Sequence, residues 1–512
     1  MRNFSFVFLI CALHFSNSGV SQVSFDSTFG NNGKVIVSYP VEEAAIYSVK
    51  LQPDGKIITC SLLVEENLSY PVVSRFFPNG NLDESFGTNG HFRTSISSRY
   101  PEDLAMTLQD DGKILVTGTH QLTAFSGDFA LQRINNDGSP DQSFGNNSLV
   151  VTDMGGFNEA KDLLIQPDLK IVVGGKSNEI STEENYSIAR YNPDGSLDET
   201  FGNNGKSNID FSSGSGQVAS EGVEILKLQQ DGKIVIAGYS KTFLHKNFTI
   251  IRLHANGTLD TTFGDLGQAF LNYGVNEEDR FSSLIITSDN KYVAVGNSYN
   301  QETRHSKVVF VRLHENGNFD DSFGINGVSA IQISSLFQDR VVDMVQQQNG
   351  KILAGGLTLG ETVDYLLLRL DSNGNLDPTF NTTGYFQDFV VSDDLGYAMV
   401  SLNDEGLILG GATRFGSNAS ASMVKILLND PLATTSFQKG RFSVYPNPAV
   451  SKINLSDDLN TPVKNVAVYN MLGQLVLTDT TSPIDISSLT IGNYSLKIET
   501  ENESQTVKFI KK

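Results

Sequence analysis

Tryptophan is absent from this sequence, and its 512 residues hold only two cysteines and 14 prolines. Two cysteines cannot build a disulfide scaffold. Without tryptophan the best platform for stacking a sugar ring is missing. Few prolines argue against a disordered, proline-rich chain. Basic residues are also scarce. Lys and Arg number 37 against 58 Asp and Glu, a formal charge of −21. That balance excludes a nucleic-acid partner, which needs a basic face to displace counterions. It equally disfavours adsorption to an anionic membrane. No apolar run approaches the ~18 residues of a membrane-spanning helix, so no transmembrane span is expected. Catalytic signatures are missing too: there is no HExxH, no paired-cysteine zinc spacing and no GxSxG elbow.

What is present begins with a secretory signal. Arg2 gives a positive start, and Phe4–Phe15 forms a short apolar run. Small residues Gly19 and Ser21 then suit a cut before Gln22, with a cut after Ser18 as the alternative. A signal peptide over residues 1–21 leaves a mature chain of charge −22 with one cysteine, Cys60, read as a buried inert thiol.

Glycine is abundant at 46 residues, and an internal repeat explains why. The string Asp-x-Ser/Thr-Phe-Gly starts at Asp26, Asp83, Asp141, Asp198, Asp260, Asp320 and Asp377, the last with Asn381 replacing glycine. Spacings run from 57 to 62 residues. An Asp-Gly-Lys anchor such as LQQDGKIV (228–235) follows each copy, degenerate in the seventh. Arg75, Arg133, Arg190, Arg252, Arg312 and Arg369 each stand eight residues before a motif aspartate, and the seventh unit has Lys425 instead. In the fourth unit the apolar pattern predicts strands at 206–211, 222–229, 233–240 and 248–255. Asp231-Gly232 is read as a type I′ hairpin turn. Near-continuous apolar strands suit sheets buried on both faces. Seven such units predict an all-β protein: a seven-bladed β-propeller of four-stranded blades over residues 22–432. A β-solenoid is the alternative, disfavoured by the hairpins. Ring closure is expected where a strand near Lys34–Tyr39 meets Met423–Leu428, hiding the sheet edges. These repeats resemble the delta-60 repeat family, which implies a propeller fold and supplies no activity.

Residues 433–441 read as a linker, and 442–512 as a small C-terminal β-sandwich of about seven strands. The tail resembles the type A C-terminal sorting domain of the type IX secretion system. The matching residues are Tyr445-Pro446-Asn447-Pro448, Gly473-Gln474, Gly492-Asn493-Tyr494 and Lys511-Lys512. That resemblance implies a Bacteroidetes source, Sec export, and the type IX machinery as a partner. The protein would then be secreted or held on the outer cell surface.

The repeated Arg–Asp pairs are read as structural, because every blade needs them; groups with a specialised role should break the repeat. The motif phenylalanines are expected to plug adjacent blades. No catalytic residue, metal site or cofactor is expected. Asp/Asn-rich turns such as Asn135–Gly138 suggest calcium only weakly, since they lack an EF-hand register. All length variation falls in loops on one face of the disc, where function usually sits. Candidates for contact with an extracellular ligand there are Glu183, Glu184, Tyr186, Glu277, Glu278, Asp279 and Tyr299. The plainer alternative is a solvated acidic face with its aromatics turned inward. A non-enzymatic, ligand-binding propeller is therefore expected, with a polysaccharide or peptide hydrolase or lyase, or a structural surface component, as rivals.

Overall fold

The computed structural model describes residues 22–429 and 442–512, apart from 42, 66–67, 98–103, 124–125, 179–183, 212–219, 243–244, 275–276, 334–337, 360–362, 389–392, 403–404 and 416–417 in the first part, and 458–462, 471–474, 480–481 and 501–503 in the second. The proposed signal peptide and the linker lie outside the described residues. Every element among the described residues is a strand. Among the described residues no helix is long and apolar enough to cross a membrane. The chain divides into two compact units, up to Asp430 and from Pro431 on.

The first unit is a seven-bladed propeller. Each blade is an antiparallel sheet of strands a to d; in blades 1 to 6 they run outward in chain order, and in blade 7 the outer strand comes from the N-terminal segment. Strands a are Glu43–Leu51, Leu104–Leu108, Phe157–Ile165, Ser220–Leu228, Glu277–Ile286, Gln338–Gln346 and Asp393–Ser401. Consecutive a strands pack against one another around the ring, blade 7 against blade 1 included. In blade 3, strands b to d are Ile171–Asn178, Asn185–Tyr191 and Lys206–Ile209. In blade 4 they are Ile234–Thr242, His245–Leu253 and Gln268–Leu271; in blade 5, Tyr292–Asn300, Ser306–Leu313 and Val328–Ile331.

Two details differ from the sequence reading. The strand at 206–209 pairs with Tyr186–Ala189 and completes blade 3, so it does not open blade 4. The turn at Asp231-Gly232 has only its glycine at positive φ, +84°. Gly232 N–H donates to the Gln229 carbonyl and Gln229 N–H to the Lys233 carbonyl. That is a three-residue hairpin with the glycine at its left-handed position rather than a type I′ turn.

The ring closes through its N-terminus. Lys34–Ile36 pairs with Ser422–Val424, and Gln22–Phe25 pairs with Ile426–Asn429. Both lie on Asn418–Asn429, strand c of blade 7, whose other side holds Gly406–Phe415. The expected clasp is present, extended by a second strand that starts at Gln22.

Blades are joined by one repeated device. Arg190 Nε donates to Asp198 at 2.7 Å, and its Nη1 reaches the Ala255 carbonyl of the next blade. Asp198 also accepts the Thr200 N–H and hydroxyl and pairs with Lys170 at 2.9 Å. The guanidinium covers the Phe201 ring at 4.7 Å. Phe201 is fully buried against Gly257 of blade 4, where a Cβ would fall 2.7 Å from the ring. The same Arg–Asp contact recurs at Arg75–Asp83, Arg133–Asp141, Arg252–Asp260, Arg312–Asp320 and Arg369–Asp377. At the closure Asp26 pairs with Lys425, at 2.9 Å, in place of an arginine.

The second unit is a two-sheet sandwich. Phe442–Tyr445, Lys452–Asp457 and Ile484–Asp485 form one sheet. Leu475–Asp479, Asn465–Tyr469, Gly492–Glu499 and Ser504–Lys511 form the other. Ile453, Val466, Val468, Ile484, Leu496, Ile498 and Phe509 fill the space between them.

Candidate functional site

In blades 1 to 6 the a–b turn and the c–d connection, which carry the repeat motifs, lie on one face of the disc. The b–c hairpins and the d-to-a links lie on the other. Six of the seven a strands carry a β-bulge, at Tyr47, Lys161, Glu224, Ser282, Val342 and Tyr397. A bulge re-aims side chains. It also brings backbones close. A Cβ on Gly238, opposite the blade 4 bulge, would lie 1.9 Å from the Gly222 carbonyl oxygen. Tyr47 and Tyr397 stack across the closure, ring centroids 4.9 Å apart.

Charged residues that break the repeat gather on the loop face of blades 3 to 5. Lys176 Nζ lies 3.0 Å from Glu159 and 2.8 Å from Glu184. Glu184 also accepts hydrogen bonds from the Ser220 hydroxyl and, at 3.3 Å, from the Tyr239 hydroxyl of blade 4. Burial works against the Lys176 charge, but Tyr239 and the two carboxylates outweigh it and hold the ammonium well above its ordinary value. Burial likewise opposes the Glu184 charge, and Lys176 nonetheless draws that carboxyl below its usual range. Tyr239 is buried, which pushes its phenol up and keeps the hydroxyl a donor. Arg280 of blade 5 grips Glu224 of blade 4 with Nε at 2.6 Å and Nη2 at 2.9 Å. Lys246 places its Nζ 4.1 Å from the Tyr239 ring centroid.

Three sequence candidates stand on this face. Glu184 is inside the cluster. Glu278 and Tyr299 are half-buried and directly opposite in register, with Gln301 donating to Glu278 at 2.9 Å. Two others are core residues. Tyr186 is fully buried, and its hydroxyl donates to the Tyr239 carbonyl at 2.8 Å. Asp279 is fully buried and accepts the Tyr273 N–H. The reason is again the repeat. Glu221 and Asp339 likewise stand three residues before the bulge of strand a and accept the N–H groups of Phe211 and Ile333 from their own d-to-a links. Burial, reinforced by Asp210, pushes Glu221 up to about 8. Glu183 and the Glu277 side chain lie outside the described residues.

Sequence reasoning passed over Lys176, Tyr239, Lys246, Glu224 and Arg280 because they lie within strands. A signal existed. Lys176, Tyr239 and Asn297 occupy the strand b position that holds Leu62, Leu357 and Ala412 in other blades. Calcium gains no support from the turns, since the Asp137 carboxylate is taken by the Ser139 N–H and hydroxyl. Among the described residues no three His, Cys, Asp or Glu side chains come together as metal ligands.

In the second unit the sorting motif forms one clasp. Asn447 Oδ1 accepts the Ile510 N–H at 2.9 Å. Ala449 N–H donates to the Ile510 carbonyl and Lys512 N–H to the Ala449 carbonyl, each at 2.8 Å. Gly492 pairs with Lys511, and Tyr494 stacks on Phe509. Tyr445 is half exposed, and Pro446 and Pro448 flank the Asn447 anchor. Gly473 lies outside the described residues. Residues 443–512 match the secretion system C-terminal sorting domain. The tail is a type IX sorting domain. The sorting domain directs export through the type IX system, to the cell surface or beyond. Six segments of the propeller, 52–86, 109–144, 166–201, 229–263, 287–323 and 347–380, match the domain of unknown function (DUF5122) beta-propeller.

A search of curated proteins finds no significant match. Among solved structures the chain is similar to a polysaccharide lyase PL25, an ulvan lyase, at 11% identity and a TM-score of 0.46, covering 80% of this chain and 96% of that one. Polysaccharide lyase Uly1 is similar at 8% identity and a TM-score of 0.45, with 78% and 93% covered. A catalytically inactive virginiamycin B lyase from Staphylococcus aureus, solved with quinupristin, is similar at 10% identity and 0.42, with 76% and 98% covered. These structures correct the expectation that the propeller is not an enzyme. Three of these similar structures are lyases. At such identity the likeness is one of fold and assigns no activity to this chain.

Proposed function

We propose that the exported propeller engages an extracellular ligand on its loop face, at the polar cluster where blades 3, 4 and 5 meet. One observation carries this reading. Charges that follow the repeat, such as Arg190 and Asp198, are consumed in joining blades. The pairs Lys176–Glu184, within blade 3, and Arg280–Glu224, between blades 5 and 4, follow no repeat and sit on the face with the variable loops. Specialised groups on a rigid frame, beside variable loops, are the usual layout of a binding surface. The Glu278–Tyr299 pair extends it on blade 5 with an acceptor and a half-buried ring.

The test is a glycan and peptide array probed with the full mature chain. The double variant Glu278→Ala, Tyr299→Ala and the single variant Arg280→Ala should lose the ligand. Leu266→Asn, on the motif face, should keep it. Loss of binding in Leu266→Asn, or retention in all the others, refutes the loop-face reading. The same incubations are assayed for cleaved product, so turnover would identify the ligand as a substrate. An array without a single ligand would favour a structural surface role.

A further inference from the structure

Within the loop-face cluster one pair of charges is left unanswered by the protein itself. Lys241 and Lys246 stand directly opposite each other on strands b and c of blade 4. Opposed residues of an antiparallel pair share a face, with Cβ atoms about 5 Å apart, and like charges there repel. Both side chains are half-buried. Among the described residues neither ammonium has an ion-pair partner; Lys246 has only the Tyr239 ring beneath it. The neighbouring cations are different. Lys176 is held between Glu159 and Glu184, and Arg280 is gripped by Glu224. Burial, and then Arg280 and Lys176, depress the affinity of Lys246 for its proton, while Glu224 and Glu278 are too far to pair with it and only partly offset that.

The position is also singular. Its equivalents in the other blades are Ser69, Gly127, Glu184, Ser306, Val363 and Ala419. In a chain of net charge −21 an uncompensated pair of lysines is out of character. Half-buried charge without a partner is unfavourable unless a partner arrives.

We infer that the blade 4 hairpin is a subsite for an anionic group of the extracellular ligand, a carboxylate or a sulfate, bridged by Lys241 and Lys246 over the Tyr239 ring. This deepens the loop-face reading and rests on it. The anion supplies the missing counter-charge and removes the repulsion between the two ammonium groups. The ring gives the carbon skeleton beside the anion an apolar wall. Lys176 and Arg280 raise the local potential but keep their own carboxylates, so discrimination falls to the two lysines.

The experiment uses the full mature chain and three polymers of one backbone: dextran, carboxymethyl-dextran and dextran sulfate. Affinities are measured at low and high salt. Neutral dextran should not bind, and at least one charged polymer should; which one separates carboxylate from sulfate. The variant Lys241→Gln, Lys246→Gln should weaken that binding about tenfold or more. Its thermal midpoint should not fall, because a repulsion is relieved. Lys50→Gln, at the other end of an inner strand, should bind as the parent does. The inference is overturned if neither charged polymer binds, if the lysine variant binds unchanged, or if Lys50→Gln weakens binding equally. A neutral array ligand lost in Glu278→Ala, Tyr299→Ala but kept in the lysine variant would leave the loop face standing and remove the anion subsite. Charged-polymer binding that needs the lysines but ignores Glu278, Tyr299 and Arg280 would do the reverse.

Discussion

Replacing Arg190 by leucine should cost the propeller far more than replacing Lys425 by leucine, although both hold a motif aspartate. Arg190 is buried and makes four hydrogen bonds: to Asp198 at 2.7 Å, to the Ala255 carbonyl, to Thr200 at 3.2 Å and to Gln166 at 3.4 Å. Leucine strips Asp198 of its shortest cation contact and leaves the Ala255 carbonyl without its donor. Breaking a buried pair by removing one partner costs about 3–5 kcal/mol. Lys170 and Thr200 still serve Asp198, which places the expected loss near the lower end, about 3 kcal/mol. Lys425 makes one ion pair with Asp26, and its side chain is 23% exposed. Such a pair is worth about 1 kcal/mol or less. Urea unfolding of the mature chain measures both. With no tryptophan, tyrosine fluorescence and far-UV circular dichroism are the probes. Equal losses in the two variants, or a loss below about 1 kcal/mol for Arg190→Leu, would refute the account of how blades are joined.

Three further outcomes are expected. Acid should loosen the ring: the Thr28 hydroxyl and Lys425 hold Asp26 at about 2, while at Asp83 and Asp377 burial is outweighed by hydroxyl, lysine and arginine contacts, again to about 2. These values lie below the unfolded 3.8, so the stabilisation is full above about pH 4 and is lost as pH falls towards 2; a thermal midpoint flat from pH 6 to pH 2 would contradict it. Glu221 titrates the other way: its folded value of about 8 exceeds the unfolded 4.5, so folding opposes its ionisation as pH rises from 4.5 to 8. Glu221→Gln should therefore raise the midpoint at pH 9 more than at pH 5, and a pH-independent difference would count against it. Leu266 sits at φ +51° with 73% of its surface exposed, where five other units have asparagine. A left-handed leucine costs roughly 1–2 kcal/mol, so Leu266→Asn should raise the midpoint; a fall would mean the side chain has a contact of its own.

The sequence made the blades legible but not their phase. A repeat is the same wherever counting starts, so nothing inside it says whether Lys206–Ile209 ends blade 3 or opens blade 4. Only the chain ends fix that, through the pairing of Lys34–Ile36 with blade 7. The Arg–Asp pairs were readable because an eight-residue offset across a tight turn leaves little freedom. Asp279 and Tyr186 were not, because acidic and aromatic residues near a loop look alike whether they face water or the next strand. Their burial depends on register. Asp279 falls three residues before the bulge of its a strand, where Glu221 and Asp339 also turn inward to hold a link. Cross-blade pairs such as Arg280–Glu224, 56 residues apart, follow from neither spacing nor periodicity.

The closing strand also determines how the ring bears force. The chain leaves the propeller after Asn429, so tension on the following segment is applied to the end of Asn418–Asn429. That strand is flanked by Gly406–Phe415 on one side and by Lys34–Ile36 and Gln22–Phe25 on the other. Ladder hydrogen bonds run across the strand direction, so a pull along the strand loads them in shear, many at once. The two ends of the ring meet at one point, where Gln22 faces Asn429. Dragging the chain by its tail therefore tightens against two neighbours before any blade can peel, and the clasp that completes the fold is also its mechanical lock.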